Sequence, residues 1–218
     1  MSDSFSATGF KLIRNAIHEE EVAELRGEVA RLGVCARNIS SGSERIRSLA
    51  EKVGERFADG RKCVRSLLFD KTPQKNWPVA WHQDMTIAVA ERRDVPGYGP
   101  WSVKEGVTCV QPPVEVLESM VTIRIHLDDT NADNGALKVI PGSHTRGRIL
   151  QNEIVNLIGN CEICACRAGD ILLMSPLILH ASSRSIVPFH RRVLHFEYAD
   201  PTKLSELLRW QELDKSSA

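Results

Sequence analysis

The sequence predicts an α+β protein, a short helical part followed by a β body that closes into a barrel. Two observations predict it. Residues 15–58 carry apolar side chains at helical spacing, and residues 62–200 break into short apolar runs separated by Gly, Pro, Asn and Asp. Runs of that length and punctuation suit an all-β barrel or sandwich, and helices placed before them give the α+β class. The 218 residues suit one domain, 1–218, with the helical part at about 15–58 and the β core at about 62–200.

The elements follow in order. Residues 10–13, "FKLI", read as a strand. A helix follows, opened by His18 and by Glu19, Glu20 and Glu21, whose charges suit a helix N-terminus. Val22, Leu25, Val29 and Leu32 form its apolar face, and Gly33 is its expected stop. A second helix is expected over residues 43–58, with Ile46, Leu49, Ala50, Val53 and Phe57 on one face and Asp59-Gly60 after it. The β body is then read as "KCVRSLLFD", "VAWHQDMTIAV", "MVTIRIHLDD", "GALKVIPGS", "CEICACRAGDILLMS" and "RRVLHFEYA". Residues 90–113 show almost no periodicity and read as a long loop, of the kind that often forms a lid or pocket wall.

Charge and composition narrow the function. The formal net charge is zero, so nothing points to nucleic acid or to an anionic membrane. There is no apolar run behind a basic start, and none approaching the ~20 residues that span a bilayer. The expectation is a soluble cytoplasmic protein. Cys161, Cys164 and Cys166 cluster in "CEICAC". A zinc knuckle would need a fourth ligand at useful spacing, so reduced thiols on a strand are the better reading.

The chemistry starts in "WHQD". His82 and Asp84 stand two apart in an apolar, strand-like run, so both aim at one face. A hydrogen-bonded surface pair would explain that equally well. His180 ends the apolar run "ILLMSPLILH" and offers a second imidazole. Two imidazoles and a carboxylate form a facial triad with three positions left open on iron(II). His126 and Asp128 in "RIHLDD" repeat the same spacing, and spacing alone does not choose between the pairs. Arg191, eleven residues beyond His180, can fork onto a carboxylate as lysine cannot, and Ser182 shares the face of His180. Trp101, Lys104 and Arg124 are the candidate substrate residues, the first two from the long loop and the third from the polar face of a strand.

These pieces, in this order, resemble the phytanoyl-CoA dioxygenase family of iron(II)/2-oxoglutarate oxygenases. The motifs that carry the resemblance are "WHQD", "LDDTNADNGALKVIPGSH", "RAGDILLMSPLILHASS" and "HRRVLHFEY", and it spans residues 9–198. The resemblance implies a double-stranded β-helix, a jelly-roll relative, with flanking helices. It implies that His82, Asp84 and His180 hold iron(II), and that His126 and Asp128 come too late in the chain to do so. It further implies that Arg191, assisted by Ser182, holds the distal carboxylate of 2-oxoglutarate. The expected reaction hydroxylates a C–H bond of a small organic substrate with O2, releasing succinate and CO2. Asp84 is retained, unlike in the halogenating branch, and no residue points to a coenzyme A thioester. Two competitors stand beside this reading. A cupin-type metal enzyme would need the triad but not Arg191; a non-catalytic binding protein would bury ionisable ligands at a cost.

Overall fold

The computed structural model describes residues 3–186 and 189–214. Its core is an antiparallel sheet of six strands. In spatial order these are β1 (Phe10–Ile13), β11 (Ile171–Met174), β8 (Val121–His126), β13 (Arg191–Ala199), β3 (Lys62–Lys71) and β2 (Cys35–Arg37). A second sheet pairs β10 (Glu162–Cys164), β9 (Leu137–Val139), β12 (His180–Ser182) and β4 (Val79–His82). A third pairs β5 (Ile87–Ala88), β7 (Val107–Val110) and β6 (Trp101–Lys104).

Strand alternation divides the six-stranded sheet into two unlike faces. Beside the short helices α1 (Asp3–Thr8) and α3 (Ile39–Gly42) stand two longer ones, α2 (Glu19–Val29) and α4 (Glu44–Phe57), and with these Ile123 and Ile125 of β8, Leu194 and Phe196 of β13, and Leu68 of β3 form one apolar cluster. The intervening residues Arg124, His195, Phe69, Lys71 and Arg191 line a cavity against the second sheet. The helices form where their patterns predict. Ser43 caps α4 by accepting from the Ile46 N–H at 3.3 Å, and Ile46, Leu49, Ala50 and Val53 are buried.

Three expectations are corrected. The helix α2 ends at Val29, because its last turn tightens into a bond from the Leu32 N–H to the Val29 carbonyl at 2.9 Å; Leu32 is left 36% exposed. Residues 77–89 are not one strand. β4 stops at His82, the Asp84 N–H turns to the Pro176 carbonyl at 2.9 Å, and β5 belongs to another sheet. The stretch 90–113 is not a bare loop either. It contains the hairpin β6–β7, joined by Glu105 and Gly106 with φ of 51° and 80°. Two consecutive left-handed residues make the tight turn that matches strand twist, and glutamate is an uncommon choice there.

Gly54 of α4 faces Tyr198 of β13, and a Cβ there would lie 2.6 Å from the ring. The Tyr198 hydroxyl donates to the Ala50 carbonyl at 2.7 Å, which ties the ring to the same helix and keeps it from swinging away. Gly54→Ala is expected to cost about 1–3 kcal/mol by overpacking. Urea unfolding checks this; a midpoint equal to or above that of the parent would show the helix free to retreat.

Candidate metal centre and its cavity

β4 and β12 are neighbours, and their register sets His82 opposite His180. The two rings lie 4.2 Å apart, tilted by 50°. The Nδ1 of His82 meets the Ala80 carbonyl at 2.8 Å and that of His180 meets the Ile178 carbonyl at 2.9 Å. A carbonyl only accepts, so both Nδ1 atoms carry the proton and both Nε2 lone pairs are free. These turn toward Asp84: His82 Nε2 is 3.7 Å from Oδ1, and His180 Nε2 is 3.8 Å from Oδ2. Both gaps are too long for hydrogen bonds. They leave room for a cation, which His82, Asp84 and His180 would hold between them.

Asp84 gives a second indication. Its side chain is 29% exposed, yet its Oδ2 is enclosed and has no hydrogen-bond partner. A buried, orphaned carboxylate oxygen is costly unless a cation answers it. Burial pushes the Asp84 carboxyl up, but the facing imidazoles outweigh it and hold it well below the usual carboxylate range. Burial presses the His180 imidazole down to about 4, so it is neutral at pH 7 and ready to ligate. Burial presses His82 down too, but the Asp84 carboxylate more than offsets it and the net direction is up. Among the described residues, His82, Asp84 and His180 form the one group of three metal-type side chains within reach of each other.

Gln83 explains why Asp84 leaves the strand yet still points inward. Its amide donates to the Gly147 carbonyl at 2.8 Å and the Leu177 carbonyl at 2.6 Å, and its oxygen accepts from the Ile149 N–H at 2.8 Å. One buried side chain thereby ties the ligand loop to two other segments.

The triad opens into a cavity of about 180 Å³ between the two main sheets. A wider surface cleft of about 520 Å³ near Arg14 and Asp170 lies apart from the triad. Opposite the triad the cavity ends in a cationic cradle. Lys71 donates to Ser182 Oγ at 2.7 Å and to the Ser183 carbonyl, Ser182 donates to the Gly135 carbonyl at 2.8 Å, and Arg191 Nη1 donates to the same carbonyl at 3.2 Å. Arg191 Nε is buried with no partner. Burial, reinforced by Arg124, lowers Arg191 to about 10; burial, then Arg191 and Arg124, lowers Lys71 to about 7. Gly135 has φ of +80°, and a Cβ there would meet the Ser183 carbonyl at 2.5 Å and Lys71 Nζ at 3.0 Å.

The other expected residues divide. Arg124 lines the cavity. Trp101 packs in a separate apolar cluster, with the Arg92 guanidinium 5.8 Å above its ring. Lys104 is exposed, its Nζ 3.3 Å from Thr86 Oγ1. Neither lines the cavity. His126 is buried beside Thr130, and Asp128 is taken by a two-pronged bond from Arg192, both contacts at 2.8 Å, and by Arg26 at 3.3 Å. The second His-x-Asp pair is therefore split between a core and a surface ion pair. Lys71 was not legible as a site residue: a lysine ending an apolar strand looks like an edge charge, and only its register opposite Arg191 brings it inside.

Comparison with known proteins agrees with this geometry. Residues 48–193, two thirds of the chain, match the phytanoyl-CoA dioxygenase (PhyH) family. The chain belongs to the phytanoyl-CoA dioxygenase family. It is an iron(II)- and 2-oxoglutarate-dependent dioxygenase. A curated relative, the ectoine dioxygenase of Nocardia farcinica (strain IFM 10152), is 24% identical over 238 residues, covering 86% of this chain and 73% of the relative. Solved structures share the jelly-roll fold. HygX from Streptomyces hygroscopicus, with nickel and 2-oxoglutarate bound, has a TM-score of 0.66 at 20% identity, covering 93% of this chain and 86% of its own. EctD from S. alaskensis in its apoform has a TM-score of 0.70 at 18% identity, covering 94% and 79%. The nogalamycin-biosynthesis epimerase SnoN, in complex with Fe3+, alpha ketoglutarate and nogalamycin RO, has a TM-score of 0.68 at 18% identity, covering 91% and 82%.

In this family member, Gln83→Ala should remove three hydrogen bonds and lower stability by about 2–4 kcal/mol, from ~0.5–1.5 kcal/mol per bond. Because the same bonds aim Asp84, iron(II) affinity should fall as well. Denaturant unfolding and a metal titration check the two effects. Full metal affinity in a destabilised variant would separate the loop anchor from the ligand.

Proposed function

We propose that this dioxygenase hydroxylates a C–H bond of a small organic substrate. In this reading His82, Asp84 and His180 hold iron(II), while Arg191, Ser182 and Lys71 grip the distal carboxylate of 2-oxoglutarate. The observation that carries it is one cavity with an orphaned Asp84 oxygen between two free imidazoles at one end and an unsatisfied buried guanidinium at the other. Iron(II) with 2-oxoglutarate and O2 supplies the oxidising equivalent, leaving succinate and CO2.

The protein's own residues supply position and charge. The Nδ1 bonds of His82 and His180 fix both rings, so the free Nε2 atoms need no reorientation when metal binds. Arg191 Nε and Nη2 form the planar edge that Nη1, bound to the Gly135 carbonyl, leaves free, and a carboxylate at that edge would answer the donor that now has no partner. Lys71 gains as well. An anion beside it offsets the burial and cationic neighbours that lower it, so binding favours its charged form. The cupin-type alternative gives no account of a buried, unpaired arginine in the cavity. No helix of the described residues is long and apolar enough to cross a membrane. A reducing compartment such as the cytoplasm suits the six free cysteines.

The assignment of the metal is tested by iron(II) titration of His82→Ala, Asp84→Ala and His180→Ala, each expected to lose most of its affinity, with His126→Ala unaffected. Retention in any of the three would overturn the triad. Apparent affinity should also fall from neutral to mildly acidic pH. His82 is the ligand whose proton is held more tightly than usual, so protons compete for its Nε2 as the pH drops. A flat profile would show that His82 is not a ligand.

The co-substrate end is tested separately. A charge-assisted bond is worth about 1.5–3 kcal/mol. Arg191→Ala should therefore weaken 2-oxoglutarate about tenfold to a hundredfold for each such bond it loses, at 1.4 kcal/mol per decade. Arg192→Ala, which breaks only the outward pair with Asp128, should leave it unchanged. The anaerobic visible band of the iron(II)–2-oxoglutarate complex reads both. Loss confined to Arg192→Ala would invert the interior of β13.

A further inference from the structure

The cavity carries more positive charge than iron and 2-oxoglutarate account for. Lys71, Arg124 and Arg191 line it, at 1%, 6% and 3% exposure, against one carboxylate, Asp84. Iron(II) brings two positive charges and the three side chains three more; Asp84 removes one and 2-oxoglutarate two, so two remain. Uncompensated charge in a buried site is costly. In the empty cavity Lys71 can lose its proton at modest cost, since burial and its cationic neighbours lower it to about 7. An arginine has no such escape.

Arg124 is the cation without an assigned partner. The Gly135–Ser182 cradle is bonded by Lys71 and Arg191, and Arg124 has no hydrogen bond to it. Its guanidinium lies 5.7 Å from the Phe69 ring centre, its Nη1 is 2.9 Å from His195 Nδ1, and its Nε is buried and unsatisfied. Among the described residues no carboxylate forms an ion pair with it.

The chain behind Arg124 is built to hold it forward. Guanidinium only donates, so His195 Nδ1 must accept and the ring proton must sit on Nε2. That nitrogen faces Glu197 Oε1 at 3.4 Å, and the same oxygen accepts from Arg65 Nη1 at 3.0 Å. Glu197 is thus engaged by Arg65 and His195 and does not neutralise Arg124. An imidazole set between the acid and the arginine keeps the guanidinium charged and oriented, and Arg124 lines the cavity with one donor still unanswered.

We propose that the primary substrate is an anion and that its carboxylate pairs with Arg124. This names a substrate class for the iron(II)/2-oxoglutarate site and rests on that reading. Arg191 and Lys71 serve the co-substrate, Arg124 serves the substrate, and His195 and Glu197 are positioning residues that act through Arg124.

The test uses the anaerobic iron(II)–2-oxoglutarate complex of the full chain. Its visible band first gives 2-oxoglutarate affinity in the parent, Arg124→Gln, Arg124→Lys and His195→Gln. The complex is then titrated with acetate and benzoate, each against its neutral amide, acetamide and benzamide. Band shifts and tryptophan fluorescence report binding, since Trp77 lines the cavity. At least one acid should bind the parent tenfold or more tighter than its amide. Arg124→Gln should abolish that preference, Arg124→Lys should restore part of it, and His195→Gln should reduce it. All three variants should keep 2-oxoglutarate affinity within about threefold. Absence of a carboxylate preference in the parent, or its survival in Arg124→Gln, overturns the proposal. Loss of 2-oxoglutarate binding in Arg124→Gln as severe as in Arg191→Gln also overturns it, by moving Arg124 to the co-substrate. If the parent forms no band at all, the underlying site reading fails instead, which is a separate outcome.

Discussion

A strand shows alternate residues to opposite sides, and the sheet at the centre of this protein must meet two incompatible demands through that rule. On β13, Leu194 and Phe196 must be apolar because helices cover them, while Arg191 and His195 face a cavity. Its neighbours obey the same parity: Ile123 and Ile125 against Arg124 on β8, Leu68 against Phe69 and Lys71 on β3. A one-residue slip in any of them would bury charges under the helices and turn leucine into the site. The pairing register is therefore a condition of both stability and chemistry.

The second sheet supplies what the first cannot. Its inward residues at the register of β4 and β12 are imidazoles, and the irregularity between His180 and Ser182 separates the imidazole pair from the hydroxyl that Lys71 meets on one short strand. The cavity thus sets the protein's cations on one wall and the two imidazoles on the other, with Phe69, Trp77, Val79 and Leu137 completing an apolar lining. Three buried cations lower one another's proton affinity, as the directions for Lys71 and Arg191 indicate. Such a wall weakens the empty protein and strengthens with bound anions. Stability and ligand occupancy are linked through the same charges.

Much of this was legible in the sequence, and what was not has physical causes. Strand and helix positions follow from apolar periodicity, so the faces of β8 and α4 could be read directly. Three ligand-type residues that interrupt apolar runs made the triad a candidate, and the family resemblance rather than spacing chose it over His126 and Asp128. The route by which Asp84 reaches it could not. Strand alternation suggested that His82 and Asp84 share a face, but Asp84 lies past the strand end and is aimed by Gln83 and by the Pro176 carbonyl. Side-chain anchoring of a loop leaves no periodic trace. The hairpin over residues 101–110 was hidden because glutamate fills a turn position where glycine or asparagine is usual. With the hairpin in its own sheet, Trp101 and Lys104 are carried away from the cavity.

Arg191 and Arg192 show where the two kinds of information meet. Periodicity alone could not choose between them, since Val193 and Leu194 are both apolar and either parity gives a plausible strand. The structure distinguishes them by what each finds. Arg192 meets Asp128 at two points and is satisfied outside the cavity, whereas Arg191 is buried with a donor unanswered. The same contrast separates Arg65 from Arg124 on one inward wall: Arg65 has Glu197, and Arg124 has only a neutral imidazole as acceptor. In a folded protein most buried arginines look like Arg65 and Arg192, because an unpaired guanidinium is costly to retain. Two that remain unanswered in a single cavity of about 180 Å³ mark it as a place where the protein's hydrogen bonds are meant to be completed by something it binds.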